Sequence, residues 1–384
     1  MTMQPIIRTD FNTGDVSSAL LSCLFSESSD IKLLEEPLGN FTKKKYNLFY
    51  PKLRFGIEST FKSLFVNEYI GVPTYTCSVV PHAIVLSGNK VRFYDSNKEN
   101  LTTENYGDEK SYIVTPWYGS PLNNNLEHKK YAIGDFSHVN LLERKNFFNS
   151  NFYVLFFSFN SGKPISSIGG GLVSTDDKNL YLDLLQSREA QFGNIPKSYY
   201  LNELIYSYMG SLINLFNLES IKVNFDDRGY FDRLREPIDT ISLGKKTSRI
   251  SMFNLKLLIK HIEKYNSNNL DILKFWEEIL QEFPIQLLNT EDWSNSHLNI
   301  ISEKRTELNR HFKNLGIQTS FGINYLNHKT IPYKNIENSR EYPNATFQSR
   351  NILQLPINLS QENFLKLRNK KTKIRKTLEN LYSN

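Results

Sequence analysis

From about Arg54 the chain alternates short β-branched and aromatic runs with helix-patterned segments. This alternation constrains the fold more than any other feature. Tyr69–Pro73, Val91–Asp95, Tyr112–Thr115, Tyr131–Asp135, Phe152–Phe159 and Gly171–Thr175 read as strands, several of them apolar throughout. A strand apolar on both faces has to be covered on both, which is the condition of a parallel sheet flanked by helices. Helical patterning over Phe61–Phe65 and Ser78–Leu86 supplies that cover. Beyond Gly193 the pattern becomes helical through Glu203–Asn214, Met252–Tyr265 and Leu270–Gln281, and then returns to mixed short elements. The expected fold is therefore α/β, with an N-terminal arm over 1–53, a large sheet domain over 54–245 and a smaller α/β domain over 246–384.

A chain of 384 residues that is 39% hydrophobic, with 26 Phe and 21 Tyr, can bury two or three folding units and is not disordered. The net charge of +6 is dispersed among acids, so no nucleic-acid partner is expected. The basic tail RNKKTKIRK (368–376) reads as the solvated face of a terminal helix. Cys23 and Cys77 are the only cysteines, which excludes a disulfide framework and a cysteine zinc module and points to a reducing compartment. MTMQPIIRTDF has no secretory-type apolar run, and Tyr153–Phe157 is too short to span a bilayer. The expectation is a cytoplasmic protein with no membrane partner. His82, His261, His297 and His311 lack metal-ligand spacing and read as surface or core residues, so no metal is expected.

In open parallel sheets, ligands bind at the carboxyl ends of strands, and three such ends carry polar residues. IGDFSHV (133–139) places Asp135 at a strand end with His138 just after it, although Asp there also reads as a helix cap. In FYVLFFSFNSGKPISSIGGGLVSTDD (152–177) an apolar strand ends in Ser158 and leads to Lys163 and a triple glycine. A lysine at the lip of a buried site loses its charge through desolvation and becomes a nucleophile, whereas an ordinary turn lysine does neither. A phosphate-binding P-loop is excluded, because Phe157 stands where the first glycine belongs and Pro164 replaces the Ser/Thr. RFGIESTFKSL (54–64) reads as a glycine leading into a helix that offers Ser59 and Thr60, an anion-binding pattern that is also ordinary capping. An acid, an amine and an anion site at strand ends are together what a pyridoxal-phosphate enzyme needs.

The order of these segments resembles the DegT/DnrJ/EryC1/StrS family of sugar aminotransferases, from about residue 54 to 360. VPTYTCSVVPHAIVLSGNKVRFYDSN (72–97), IVTPWYGSP (113–121), IGDFSHV and SFNSGKPISSIGGGLVSTDD are each similar to a family segment. SRISMFNLKLLIKHIEKY (248–265), GIQTSFGINYLNHKTIPY (316–333) and LPINLS (355–360) complete the series. The resemblance implies a fold-type I enzyme, with a mostly parallel seven-stranded large domain and a homodimer sharing its sites. It implies pyridoxal 5′-phosphate as cofactor, an amino-acid donor such as L-glutamate and a nucleotide-linked keto sugar as acceptor, in amino-sugar and surface-polysaccharide synthesis.

By the same resemblance Lys163 carries the cofactor and shuttles the proton, Asp135 pairs with the pyridine nitrogen, and His138 lies on the ring-hydroxyl side. Ser158, with Ser59 or Thr60, binds the phosphate, and His328 lines the sugar site. The sequence departs from the family pattern in places. The family's ring-stacking aromatic aligns with Cys77, leaving stacking absent or supplied by Tyr75. The partner-subunit asparagine falls near Thr247, and SIGGG replaces the family's acidic GEGG. Two other readings follow from the same scaffold. One is a sugar dehydratase, although in dehydratases resembling this family a histidine replaces the lysine. The other is a non-catalytic binding or regulatory relative.

Overall fold

The computed structural model describes residues 35–99, 101–103, 106–122, 131–140, 142, 152–160, 163–165, 169–192, 252–264, 269–289, 291, 293, 297–336, 340–357 and 359–383, with isolated positions 14, 17 and 18. The helix expected over Glu203–Asn214, the domain boundary near 245 and Thr247 lie outside these residues.

The large sheet has seven strands: β1 (Tyr46–Tyr50), β2 (Tyr69–Pro73), β3 (Lys90–Tyr94), β4 (Ser111–Val114), β5 (Tyr131–Asp135), β6 (Val154–Ser158) and β7 (Gly171–Thr175). Their spatial order is β1-β7-β6-β5-β4-β2-β3. Strands β3, β2, β4, β5 and β6 pair in parallel, and β7 runs against both its neighbours. Every residue of β4, β6 and β7 is buried, as apolar strands covered on both faces must be. Flanking the sheet are α1 (Leu53–Leu64), α2 (Val79–Leu86) and α3 (Lys178–Phe192). The segment before Arg54, expected to be an arm, contributes β1 to the sheet, where it pairs with β7 from Tyr46↔Thr175 to Tyr50↔Gly171.

Further along the chain come α4 (Met252–Lys264), α5 (Asn269–Leu280), β8 (Gln286–Leu287), β9 (Leu298–Ile301) and α6 (Arg305–Asn314). They are followed by α7 (Pro343–Asn351), β10 (Ile352–Leu355), α8 (Gln361–Arg368) and α9 (Lys371–Tyr382). The three strands form an antiparallel sheet in the order β10-β9-β8. Its helices bury Trp276, Phe312, Leu367 and Leu378 in one core, and the Trp276 indole N–H donates to the Pro356 carbonyl at 3.0 Å.

This half is fastened to the large sheet at the strand ends. The Asp95 carboxylate after β3 accepts the Asn344 and Ala345 N–H groups at 3.1 and 2.8 Å, satisfying the exposed amides at the start of α7. The Asn327 side-chain amide donates to the carbonyls of Thr74 and Thr76, at 3.1 and 2.7 Å. No helix among the described residues is long and apolar enough to cross a membrane.

Candidate active site

The carboxyl ends of β2, β4, β5 and β6 open on one side of the sheet, and the functional side chains collect there. Asp135 is the last residue of β5 and is buried. One of its carboxylate oxygens accepts from Ser137 twice, from Oγ at 2.5 Å and from the backbone N–H at 3.2 Å. This is the local turn by which an Asp at a strand end holds its own following residues. No guanidinium pairs with the carboxylate among the described residues, and burial pushes its pKa up, against the pull of the Ser137 hydrogen bonds and of Lys163.

His138 follows in the same turn, and Lys163 comes from the loop after β6. Lys163 Nζ and His138 Nε2 are hydrogen-bonded at 2.9 Å. Burial lowers the Lys163 pKa, opposed by the neighbouring Cys77 and Asp135. The His138 imidazole is driven well below its ordinary pKa, first by burial and then by the charges of Lys163 and His297. A neutral imidazole that accepts from the lysine carries its own proton on Nδ1, and that atom is buried without a hydrogen-bond partner among the described residues. An acid, an amine and an imidazole are thus held together with less than full compensation of charge.

Ser158 closes β6 directly opposite Gly171. Gly170 has φ of 106°, a conformation L side chains rarely adopt, and a Cβ there would lie 2.2 Å from the Phe49 ring. A Cβ on Gly171 would lie 2.4 Å from Cα of Leu53. The glycines therefore let the amino end of α1 reach the sheet beside Ser158, and Lys52 bridges Gly170.

This geometry corrects the placement expected for Ser59 and Thr60. The helix begins at Leu53, so both hydroxyls sit in its interior. Thr60 Oγ1 donates back to the Gly56 carbonyl at 2.7 Å. Ser59 Oγ faces α3, accepting from Gln191 Nε2 at 3.4 Å. The amides at the strand-end side of α1 belong to the turn at Leu53, which is the arrangement that attracts anions.

Tyr75, expected as a stacking or substrate residue, is fully buried. Its carbonyl accepts from the Trp117 indole N–H at 2.6 Å, and its hydroxyl lies 3.4 Å from that of Tyr118. Cys77 is a free, partly buried thiol near Lys163 and Tyr118. His328 Nδ1 is hydrogen-bonded to Thr74 Oγ1 at 2.6 Å, just beyond β2.

Three further residues join the site, two of them within IVTPWYGSP but given no role by the resemblance. Trp117 and Tyr118 follow β4, and their rings pack on His138 with centroids at 4.6 and 5.2 Å. Tyr118 has φ of 54°, a conformation a bulky residue adopts only under constraint. Its hydroxyl accepts the Ile323 N–H at 3.3 Å, and a Cβ on Gly322 would lie 2.3 Å from that oxygen. His297, at the start of β9, is a core histidine as expected, but its ring lies 5.5 Å from His138. Burial and the Lys163 charge bring its pKa down to about 3.

Solved structures of similar fold include pyridoxal-phosphate enzymes, although no family model and no curated protein matches the sequence. PseC of Helicobacter pylori, an aminotransferase of pseudoaminic acid biosynthesis, matches with a TM-score of 0.72 at 16% identity, over 99% of this chain and 100% of that one. A DegT DnrJ EryC1 StrS aminotransferase from Brucella abortus matches with a TM-score of 0.68 at 14% identity, covering 97% and 96%. The GDP-4-keto-6-deoxy-D-mannose-3-dehydratase of E. coli, solved with hydrated pyridoxal phosphate, matches at 0.71 and 15% identity, covering 98% and 100%. Aminotransferases and a dehydratase thus share this chain's fold.

Proposed function

We propose that the chain is a pyridoxal-phosphate-dependent aminotransferase that moves an amino group from an amino acid such as L-glutamate to a nucleotide-linked keto sugar. The observation that carries this reading is the Lys163 amine, hydrogen-bonded at 2.9 Å to His138, in a desolvated strand-end pocket that also holds Asp135.

The residues present fit the cofactor. Asp135 is a buried carboxylate whose only side-chain hydrogen bond among the described residues is to Ser137, so a protonated ring nitrogen would relieve it. The orphaned Nδ1 of His138 would be satisfied by an acceptor on a bound group. Ser158 and the amino end of α1 form the anion-attracting corner. When bound, pyridoxal phosphate supplies an electron sink for the charge left on the substrate carbon as a proton is removed.

The chain's own residues do the rest. The lowered pKa of Lys163 leaves its amine free to attack a carbonyl and then to lift and return a proton. His138 orients that amine, and the Trp117 and Tyr118 rings fix His138. Asp135 would hold the positive ring nitrogen of the bound group. A lysine at this position, where dehydratases resembling the family carry a histidine, favours amine transfer over dehydration. The same reading makes the protein a homodimer acting in amino-sugar synthesis.

The test is to add pyridoxal phosphate to purified protein, reduce with borohydride and map the modified peptide. Label confined to Lys163, followed in unreduced protein by glutamate-dependent loss of the visible chromophore and release of 2-oxoglutarate, is expected. Label scattered over surface lysines, or a chromophore that survives Lys163→Ala, would sink the assignment.

A further inference from the structure

Tyr118 is held from both halves of the chain. On the side of the large sheet it follows β4 and meets His138 edge to face, with ring centroids 5.2 Å apart and planes at 84°. From the C-terminal half, the His297 ring approaches it to 5.3 Å, and the Ile323 N–H donates to its hydroxyl at 3.3 Å. The ring is thus pinned at its side and its tip while its backbone sits at φ of 54°. A bulky residue keeps that conformation only where its surroundings enforce it.

A turn at Gly322 supplies the enforcement. Ser320 exchanges two backbone hydrogen bonds with Gln354 of β10, at 3.2 and 2.7 Å, which ties the turn to the antiparallel sheet. Ser320 Oγ then accepts the Gly322 N–H at 3.1 Å, and Gly322 turns at φ of 61°. A Cβ there would lie 2.3 Å from the Tyr118 hydroxyl oxygen and 3.2 Å from the ring carbon that bears it. Gly322 is exposed, so no core packing calls for a small residue. The left-handed backbone and the Tyr118 hydroxyl do.

The same contacts lead to the amine. Beyond Tyr118 comes His138, whose Nε2 is 2.9 Å from Lys163 Nζ. A hydrogen bond of that length does not survive a displacement of about 1 Å, so the seat of the His138 ring decides whether the amine is held. Resting on the reading of Lys163 as the reactive amine, we propose that Gly322 is a positioning residue. Its turn seats the Tyr118 hydroxyl, and through Tyr118 and His138 the C-terminal half holds the Lys163 amine in place and out of water. The docking of one half of the chain on the other thus completes the nucleophile.

The titratable groups facing the amine among the described residues are His138 and Asp135 from the end of β5, Cys77 from the stretch after β2 and His297 from the approach to β9. Burial lowers the Lys163 pKa, against Cys77 and Asp135. Loosening His138 admits water and favours the protonated amine, so the midpoint of amine reactivity moves up in pH.

Reductive methylation of the cofactor-free full chain by formaldehyde and cyanoborohydride, quantified on the Lys163 peptide across pH, reads that midpoint. In Gly322→Ala the midpoint should rise, slowing Lys163 methylation below it by at least about threefold, the change that half a pKa unit produces. Tyr118→Phe keeps the ring and loses the hydroxyl, so it should move the midpoint the same way and by less. Adding Tyr118→Phe to Gly322→Ala removes the oxygen that the new methyl strikes, and should return the midpoint to that of Tyr118→Phe alone. Gly88→Ala is the control. Gly88 has φ of 87° with nothing within 4 Å of a Cβ, so that variant carries backbone strain without the contact. It should lose stability and leave Lys163 unchanged. The proposal is overturned if Gly322→Ala lowers urea stability without moving the midpoint, or if Gly88→Ala moves it equally. Should Gly322→Ala not fold, an unmoved midpoint in Tyr118→Phe overturns it. Borohydride labelling with pyridoxal phosphate on the same preparations separates the two claims. Label at Lys163 with an unmoved midpoint defeats only the positioning role, and a moved midpoint without label defeats only the cofactor reading.

Discussion

Two clusters of buried charge in this protein are built in opposite ways. Beneath the edge of the large sheet, Glu35 and Arg188 form an ion pair with each side chain 5% exposed. Glu35 also accepts the Phe49 N–H at 2.6 Å, and Arg188 donates to the Phe49 carbonyl at 3.1 Å. Each charge there meets its opposite and a backbone group of β1. At the carboxyl end of the same sheet, Asp135, His138 and Lys163 are close together with no full counter-charge for any of them among the described residues. Their pKa values all move towards the neutral form. A charge-matched pair fixes a strand in place, whereas an under-compensated cluster keeps groups whose protonation can change during a reaction.

If this contrast holds, the same kind of substitution has opposite consequences in the two places. Lys163→Ala should abolish amine transfer, by at least about a thousandfold, because it removes both nucleophile and proton carrier. Equilibrium urea unfolding should find its stability unchanged or raised, since a desolvated amine is lost. A clear loss of stability would mean that Lys163 is a structural residue. Arg188→Ala should do the reverse. Leaving the Glu35 carboxylate buried and alone should cost about 3–5 kcal/mol in the same unfolding experiment. Borohydride labelling of Lys163 in whatever protein remains folded should be retained.

A backbone change gives a smaller effect. Gly171→Ala puts a methyl 2.4 Å from Cα of Leu53, so α1 has to shift from the strand end. We expect a loss of about 1–3 kcal/mol and weaker retention of pyridoxal phosphate, measured by dialysis against the parent. Unaltered retention would mean that the amino end of α1 takes no part in holding the phosphate.

What the sequence disclosed follows from which interactions are local. Asp135 and Ser158 end strands whose residues are almost all apolar, so the polar residue at the end stands out without knowledge of the fold. The start of α1 does not, because Lys52 occupies the cap position with no side-chain cap and no Ser, Thr, Asp or Asn marks the boundary. Most of α1 is buried, Ser59 and Thr60 included, and the hydroxyls drew attention to its middle. YNLFY became β1 only through its pairing with β7, a contact between distant segments. Trp117 joins the site through long-range packing on His138, and Tyr118 and His297 through the packing of one half of the chain on the other.

His297 gives the finest test of the comparison, because it belongs to the under-compensated cluster without being needed as its nucleophile. Its folded pKa is about 3 against an ordinary 6.5. Between those values the unfolded chain binds a proton that the folded protein refuses. The contribution is therefore complete above pH 6.5 and is lost as pH falls through the window towards 3, at up to about 1.4 kcal/mol per pH unit for one group. His138 is shifted in the same direction and adds its own share. In His297→Gln the stability measured by urea unfolding between pH 6 and 4 should fall less steeply, by no more than one proton's worth, while His138 keeps some slope. The Gln backbone still offers the carbonyl that accepts from Asn289 and Asn299 at 2.7 and 3.1 Å, so the turn into β9 is preserved. An unchanged slope would mean that His297 already carries its proton in the folded protein. The charge beside Lys163 would then be larger than proposed, and the contrast with the Glu35–Arg188 pair would fail at its most sensitive point.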